Sequence, residues 1–340
     1  MKKNNELNKI IVECRNSRSF RHALAYQSHE WFFRLYLNHH MGYPFSWFHK
    51  QMFGLSEEPL LKLIVLTAFR GAGKSTILNL SMILWSILGK PQKKFVIIIS
   101  KTIFQAKAHL KNIIEELKEN DLLKNDFNLL DKRMFNNSIT SIEFKEYEAK
   151  IVLATTKQAL RGLKYKSHRP DLIICDDLES DNSDVSDRSI KERDNWFKNE
   201  VMACVGGNAK IIILGTPIQE TSIIIRLMNE IKEKRLKGIF KAYPFRDLEG
   251  KILWPEKFSD EELGKDLDGD WLTEYMLHTN EFSMLNILEG LKSDLKEETI
   301  SNCELKNIGL LSNNGYKIPV PTNIFKSPYV KLDFKNDKQG

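Results

Sequence analysis

The sequence predicts an α/β protein in which a mostly parallel sheet is covered by helices on both faces. Short apolar runs alternate with helical patterns between residues 59 and 250, and such runs are typical of strands buried on both faces. Three of these runs end in polar motifs. Because ligands of such sheets bind at the carboxyl ends of the strands, the same runs also predict where a site lies.

The elements are predicted in order along the chain. Aromatic residues recur at helical spacing through residues 1–58, which indicates a helical N-terminal segment. The apolar run LLKLIVLTAF then predicts a buried strand, and ILNLSMILWSILG predicts the helix after it. Further strands are predicted from FVIIIS, from DLIICDD, from KIIILGTP and, as a pair joined by a short turn, from SIEFKEYEAKIVLAT. Further helices are predicted from TIFQAKAHLKNIIEELKEN, SDRSIKERDNWFKNEVMACV and ETSIIIRLMNEIKEKRLKG.

The pattern weakens after about residue 250. Residues 251–300 predict a short helical extension, interpreted as a linker or lid subdomain. Residues 301–340 are rich in Asn, Lys and Pro and predict an irregular, disordered tail.

Composition excludes several classes of protein. A content of 42% hydrophobic and 28% charged residues argues against a disordered chain. The net charge of +6 permits a nucleic-acid partner without demonstrating one. No apolar run reaches the length of a membrane span, so no membrane association is expected. The four cysteines form no C-x-x-C pair, which argues against a zinc ribbon and fits a reducing cytosol.

The turn after the first buried strand carries the most specific motif. Residues 68–76 read AFRGAGKST and match the Walker A pattern except at Ala68, where the pattern has glycine. Backbone N–H groups of such a loop surround phosphate, the lysine reaches the β and γ phosphates, and the serine hydroxyl joins the magnesium shell. This predicts a P-loop (RecA/ASCE-like) fold that binds ATP and Mg²⁺. The predicted nucleotide-binding residues of the loop are Arg70, Gly71, Ala72, Gly73, Lys74, Ser75 and Thr76.

Two later strand ends complete the predicted site. LIICDDLE has the Walker B pattern, in which Asp176 binds magnesium together with Ser75. A second carboxylate orients the attacking water, and the pattern leaves Asp177 and Glu179 both open for this role. The strand KIIILG ends at Thr216, whose hydroxyl is placed to sense the γ phosphate.

These motifs, together with FVIIISKTIFQAKAHLKNIIEEL, RGLKYKSHRPDLIICDDLE and LWPEKFSDEEL, resemble the ATPase half of a tailed-bacteriophage large terminase over roughly residues 45–280. The resemblance implies an ATP-driven motor that moves double-stranded DNA into a preformed capsid. It also implies a homo-oligomeric ring on the portal protein and a small terminase subunit that delivers the DNA. The implied location is the cytoplasm of the bacterial host, transiently on the procapsid.

The resemblance also implies roles for individual residues. Arg70 matches the arginine that terminases carry in the Walker A loop, and Asp177 stands where the family usually has a catalytic glutamate. Gln51 matches an upstream glutamine that reads adenine. Arg161 matches an arginine near the nucleotide, and we expect it to act across a subunit boundary.

One feature departs from the family. Large terminases carry an RNase H-like nuclease domain after the ATPase half, and here only Asp333 resembles one of its aspartates, as if the tail were the truncated start of that domain. Two-metal cleavage needs several carboxylates, so we expect no nuclease activity. A split gene or a prophage remnant would explain the pattern. The alternatives are a helicase-like DNA translocase and a truncated, non-catalytic nucleotide-binding product.

Two remaining clusters favour structural roles. The histidines at positions 22, 29, 39 and 40 are spaced too loosely for a metal site, so a helix surface is expected. The basic residues between positions 232 and 241 are expected to form a solvated helix face rather than a DNA contact.

Overall fold

The architecture is described from a computed structural model of the chain. It describes residues 2–129, 135–179, 186–216, 221–246, 250–258, 309–311 and 317–319. Most of the predicted extension at 251–300, most of the tail at 301–340, Pro217 and Asp333 therefore lie outside the described residues.

An eight-stranded sheet forms the centre of the molecule, in the order β3-β4-β5-β2-β6-β7-β1-β8. In this order, the last six strands, β5, β2, β6, β7, β1 and β8, are mutually parallel. Strand β4 pairs antiparallel with β5, and β3 pairs antiparallel with β4. The mostly parallel sheet predicted from the sequence is therefore confirmed. The strands are β1 Leu63–Ala68, β2 Phe95–Ser100, β3 Phe135–Ser138, β4 Ser141–Phe144, β5 Ala149–Thr155, β6 Leu172–Asp176, β7 Lys210–Gly215 and β8 Ile239–Tyr243.

Helices cover both faces of the sheet, as predicted. Alternate residues of the central strands feed two separate cores: Ile64 and Ile174 face one, and Val65 and Ile173 face the other. The first core is closed by α1 to α7 and the second by α8 to α10. The helices are α1 Lys2–Asn16, α2 Arg18–Gln27, α3 His29–Phe32, α4 Trp47–Glu57, α5 Met82–Leu88, α6 Ile103–Glu119, α7 Asp121–Asp126, α8 Asp187–Trp196, α9 Met202–Cys204 and α10 Ile223–Lys232.

Three helices include π-helical turns, at Phe33–Leu37 after α3, Thr76–Ser81 before α5 and Phe197–Val201 after α8. A 3-10 turn, Asn38–His40, follows the first of these. No helix within the described residues is both long and apolar enough to cross a membrane.

The N-terminal helices share one core with the sheet. His29 is fully buried, with its ring nitrogens 2.6 Å from Ser56 Oγ and 2.9 Å from Ser81 Oγ, so it is no surface residue. Arg21 pairs with buried Asp126 at 2.7 Å and ties α2 to α7. Whether residues 1–58 form a separate segment stays a prediction.

The strand order decides which loops meet. β7 lies between β1 and β6, so the loops that follow β1 and β6 are one strand apart. Because these strands are parallel, Ala68, Ser100, Asp176 and Gly215 all end at the same edge of the sheet. The three predicted motifs are therefore brought to one edge.

A short antiparallel ladder pairs β9 Gly309–Leu311 with β10 Lys317–Pro319. Two strands of the main sheet, β3 and β8, were not predicted from the sequence. Both are short edge strands, whose patterns are weaker than those of the buried central strands.

Candidate functional site

The loop between β1 and its helix has the backbone of a phosphate cradle. Gly71 and Gly73 adopt φ values of +75° and +77°, a left-handed region that only glycine occupies without cost. A Cβ on Gly73 would also lie 3.2 Å from the side chain of Met41. A helix starts at Lys74, and its first turn closes where Ile77 N donates to Gly73 O at 2.9 Å. This geometry directs N–H groups and the positive end of the helix dipole toward one concave region.

His49 on α4 holds the back of this loop. Ser46 N donates to His49 Nδ1 at 2.9 Å, so the ring proton is on Nε2, which donates to Ala72 O at 3.0 Å. Burial lowers the pKa of His49 to about 3, which keeps the ring neutral. The sequence interpretation gave this histidine no role.

Lys257 holds the neighbouring carbonyl of the loop, and the sequence interpretation missed this contact too. Its Nζ donates to Gly71 O at 2.8 Å and lies 4.8 Å from the centre of the Trp254 ring. Trp254 in turn packs edge-on against His49, with ring centres 4.4 Å apart. Both residues come from the LWPEKF stretch, so the terminase-like pattern there was the one available signal.

Asp176, at the end of β6, is almost fully buried on the core face that carries the phosphate-loop helix. Asn79 Nδ2 donates to its Oδ2 at 3.1 Å, and His109 Nε2 of α6 lies 3.4 Å from the same oxygen. Its Oδ1 has no hydrogen-bond partner among the described residues, and neither has Oγ of Ser100, its register neighbour on β2. Buried unpaired oxygens are costly, so the surroundings of Asp176 are suited to a ligand that pairs with these oxygens.

Asp177 turns away from the strand. Its φ of +51° is left-handed, and its N–H donates to Leu214 O of β7 at 3.1 Å. The residue is exposed, yet its carboxyl lies among the strand-end loops, where burial and the charge of Asp176 raise its pKa. The charges of Lys74, His109 and Arg70 act in the opposite direction. Asp177 therefore shares one electrostatic environment with the phosphate loop.

Glu179 lies in a different environment. One carboxylate oxygen accepts a hydrogen bond of 2.9 Å from Ile223 N, at the first turn of α10. The other lies 3.1 Å from Arg193 of α8. Burial raises its pKa most, while these two partners lower it. Glu179 thus joins two helices on the second core face.

The other predicted residues lie around this edge. Thr216 follows Gly215 directly and is half-buried. Gln51 Oε1 accepts a hydrogen bond of 3.1 Å from Tyr243 on β8, whose carbonyl accepts from Phe69 N at 3.1 Å, so Gln51 is linked to the phosphate loop. Arg70 is exposed on the loop.

Arg161 lies on an exposed turn between β5 and β6. Its backbone N–H donates to Glu200 at 3.0 Å, and its guanidinium contacts the Asn199 carbonyl and lies 3.7 Å from Glu200. These contacts place the side chain beside the π-helical turn after α8.

The residues present fit a divalent cation with a nucleotide phosphate. Asp176 offers a buried carboxylate oxygen with no partner of its own, and oxygen ligands of this kind are what Mg²⁺ prefers. Ser75, in the first helical turn, supplies the hydroxyl that the Walker A pattern requires.

The sequence matches no protein-family model, and no curated protein matches it. Among solved structures, it is similar to the large terminase of bacteriophage HK97, with 12% identity, a TM-score of 0.43 and 76% of this chain covered. It is also similar to the large terminase ATPase domain of Thermus phage P74-26, at 12% identity and a TM-score of 0.40, and to the large terminase of bacteriophage D6E, at 14% and 0.39.

The chain spans 48% of the HK97 protein, 46% of the D6E protein and 95% of the P74-26 domain, with 59% and 71% of this chain covered in the last two. All three belong to the family that the motifs resemble.

Proposed function

We propose that this chain is an ATPase that hydrolyses ATP with magnesium. One observation carries the proposal: a glycine cradle that starts a helix at Lys74 lies one strand away from a buried Asp176 with an unpaired carboxylate oxygen. The cradle suits a polyphosphate, and the carboxylate suits its metal ion. Within the part of the chain that the structure describes, nothing pairs with Oδ1 of Asp176.

Each residue has a proposed task. Lys74 and Arg70 neutralise charge on the terminal phosphates, and Ser75 and Asp176 hold the metal. Magnesium, when bound, supplies further charge neutralisation at the phosphates. Asp177 orients the attacking water, because its carboxyl lies near enough to Lys74 and Arg70 of the phosphate loop for their charges to act on it. Thr216, which directly follows β7, is the candidate for sensing the γ phosphate.

Gln51 and the loop residues Gly71, Ala72, Gly73 and Thr76 complete the proposed nucleotide contacts. Glu179 stays a weaker candidate for the water-orienting role, since both of its oxygens already have partners in α8 and α10.

We further propose that the ATPase is the motor subunit of a phage packaging machine acting on double-stranded DNA in the bacterial cytoplasm. The ordered motifs support this, as does the exposed position of Arg161, which leaves it accessible to the nucleotide of a neighbouring subunit in a ring. The portal protein and a small terminase subunit are the proposed partners.

Phosphate release by the purified chain tests the ATPase proposal. Lys74→Ala and Asp176→Asn are each expected to abolish turnover, because each removes a charge that contacts the triphosphate or its metal. Lys111→Ala is the matched control, since Lys111 is an exposed lysine of α6 whose side chain is 75% exposed. Wild-type turnover in either site variant, with circular dichroism unchanged, would contradict the proposal.

DNA tests separate the alternatives. Stimulation of turnover by duplex DNA and packaging into portal-bearing procapsids would support the motor, whereas strand separation would favour a helicase-like translocase. Tight nucleotide binding without phosphate release under these conditions would indicate a non-catalytic product.

A further inference from the structure

Two of the histidines expected only on a helix surface, His39 and His40, lie beside Glu116 and form with it a second group of potential metal ligands. His39 and His40 end the 3-10 turn after α3, and Glu116 lies in the last turns of α6. Their potential ligand atoms all lie within 4.8 Å of one another. His39 Nε2 is 2.9 Å and His40 Nε2 is 2.6 Å from the same oxygen, Glu116 Oε1.

The carboxylate is held in place by its other oxygen. Asn120 Nδ2 donates to Glu116 Oε2 at 3.0 Å and to the carbonyl of Tyr36 at 2.7 Å. This leaves Oε1 directed at the two imidazoles. Metal ligands are commonly fixed by such outer contacts, which set the orientation of the group that binds the ion.

We propose that His39, His40 and Glu116 form a binding site for zinc or a similar divalent transition metal. Two neutral imidazoles and one carboxylate are a known zinc-ligand set, and three protein ligands leave one position for water. Zinc at ~2.0–2.1 Å from each ligand needs ligand atoms ~3.4 Å apart, so small side-chain rotations from the present positions suffice.

The site differs in chemistry from the one at Asp176. Imidazole nitrogen favours zinc, copper, iron or nickel, whereas the oxygen ligands at Asp176 favour magnesium. An ion at this position would link the turn after α3 to α6. Helix α6 also carries His109, whose Nε2 lies 3.4 Å from Asp176 Oδ2. Metal binding would therefore stabilise the helical layer on one face of the nucleotide site.

Zinc titration tests the site without any reference to ATP turnover. Protein stripped with EDTA is titrated with ZnCl₂ by calorimetry, with Mg²⁺ in excess to occupy the carboxylates at Asp176. A Cys303→Ser background removes the thiol that lies outside the described residues. The variants are His39→Ala and Glu116→Gln, with Asn120→Ala as a test of the outer contact. His168→Ala is the control, since that histidine is exposed on a loop.

We expect one zinc per chain in the parent protein and in the control, and loss of this binding in His39→Ala and Glu116→Gln. Asn120→Ala is expected to bind about 10-fold more weakly. Zinc should raise the melting temperature of the parent but not of the ligand variants, whose melting in EDTA confirms that they fold. No stoichiometric binding by the parent, or equal binding by the ligand variants, would show that the three residues form only a hydrogen-bonded cluster.

Discussion

The two sides of the phosphate loop differ in how their polar groups are satisfied. On the back of the loop, the carbonyls of Gly71 and Ala72 are both bonded, to Lys257 and to His49. On the site edge, Asp176 and its neighbour Ser100 each keep a buried oxygen without a partner within the described chain. A protein pairs its buried polar groups unless something else is meant to pair them. The back of the loop is therefore a scaffold, and the site edge is where a ligand is expected.

Substitutions of the two carboxylates after Asp176, Asp177 and Glu179, are expected to give the largest effects that test this comparison. Asp177→Asn is expected to lower kcat by about 10²–10⁴-fold, the range of a lost acid–base group, with little change in stability. Glu179→Gln is expected to cost about 1–3 kcal/mol of unfolding free energy, because it weakens the pairing of Arg193, while most activity remains. Steady-state kinetics and urea unfolding of both variants measure the two effects. The opposite outcome, with activity lost only in Glu179→Gln, would assign the role to Glu179.

The back of the loop is expected to respond in stability. His49→Leu leaves Ala72 O and Ser46 N unpaired in a buried region, at a cost of about 1–3 kcal/mol in urea unfolding. His168→Leu, at an exposed position, is expected to change stability by less than about 0.5 kcal/mol. Equal effects of the two substitutions would mean that the His49 contacts do not support the loop.

Wild type and His49→Leu should also differ in how their unfolding free energy depends on pH. The pKa of His49 is about 3 when folded and ~6.5 when unfolded, so below pH 6.5 only the unfolded chain takes up the proton. Wild type should therefore lose about 1.7 kcal/mol from this residue as pH falls from 6.5 to 5, with a slope that approaches about 1.4 kcal/mol per pH unit once the unfolded histidine is fully protonated. His49→Leu lacks this term, so its stability deficit should narrow by that amount. A deficit that stays constant across this range would contradict a neutral, buried His49.

The smallest expected effect is at Lys257, which is only half-buried. Lys257→Met removes the bond to Gly71 O and should raise the KM for ATP a few-fold at nearly unchanged kcat, with Lys257→Arg restoring most of the loss. Lys166→Met, at an exposed ion pair with Glu148, is the control. A fall in kcat that exceeds the change in KM would instead place Lys257 in the chemical step.

The sequence was sufficient for six of the eight strands of the main sheet and for the edge where the motifs meet. Strands β1, β6 and β7 are continuous apolar runs, and the carboxyl ends of parallel strands lie at the same edge of a sheet, so Lys74, Asp176 and Thr216 could be grouped without coordinates. The surroundings of Asp176 could not be predicted. Asn79 and His109 reach it from positions 97 and 67 residues earlier (176 − 79 and 176 − 109), and nothing in a helical pattern marks them as partners of a strand end.

The choice between Asp177 and Glu179 shows the same limit. Strand alternation puts both on one side of an extended chain, so the sequence left them equivalent. The left-handed φ of Asp177 ends that alternation and sends the two carboxylates to different environments. One backbone angle therefore made the difference that side-chain spacing could not.

The left-handed φ of Asp177 also lowers the stability of the folded protein at this position. A residue with a side chain is less stable than glycine at a φ of +51°, and the cost persists only where the surroundings enforce it. Asp177→Gly should therefore leave the fold as stable as before, or more so, although a side chain has been removed. If this variant is also inactive, the protein keeps the Asp177 carboxyl group at a cost in folding stability. That is expected where selection acts on turnover rather than on stability.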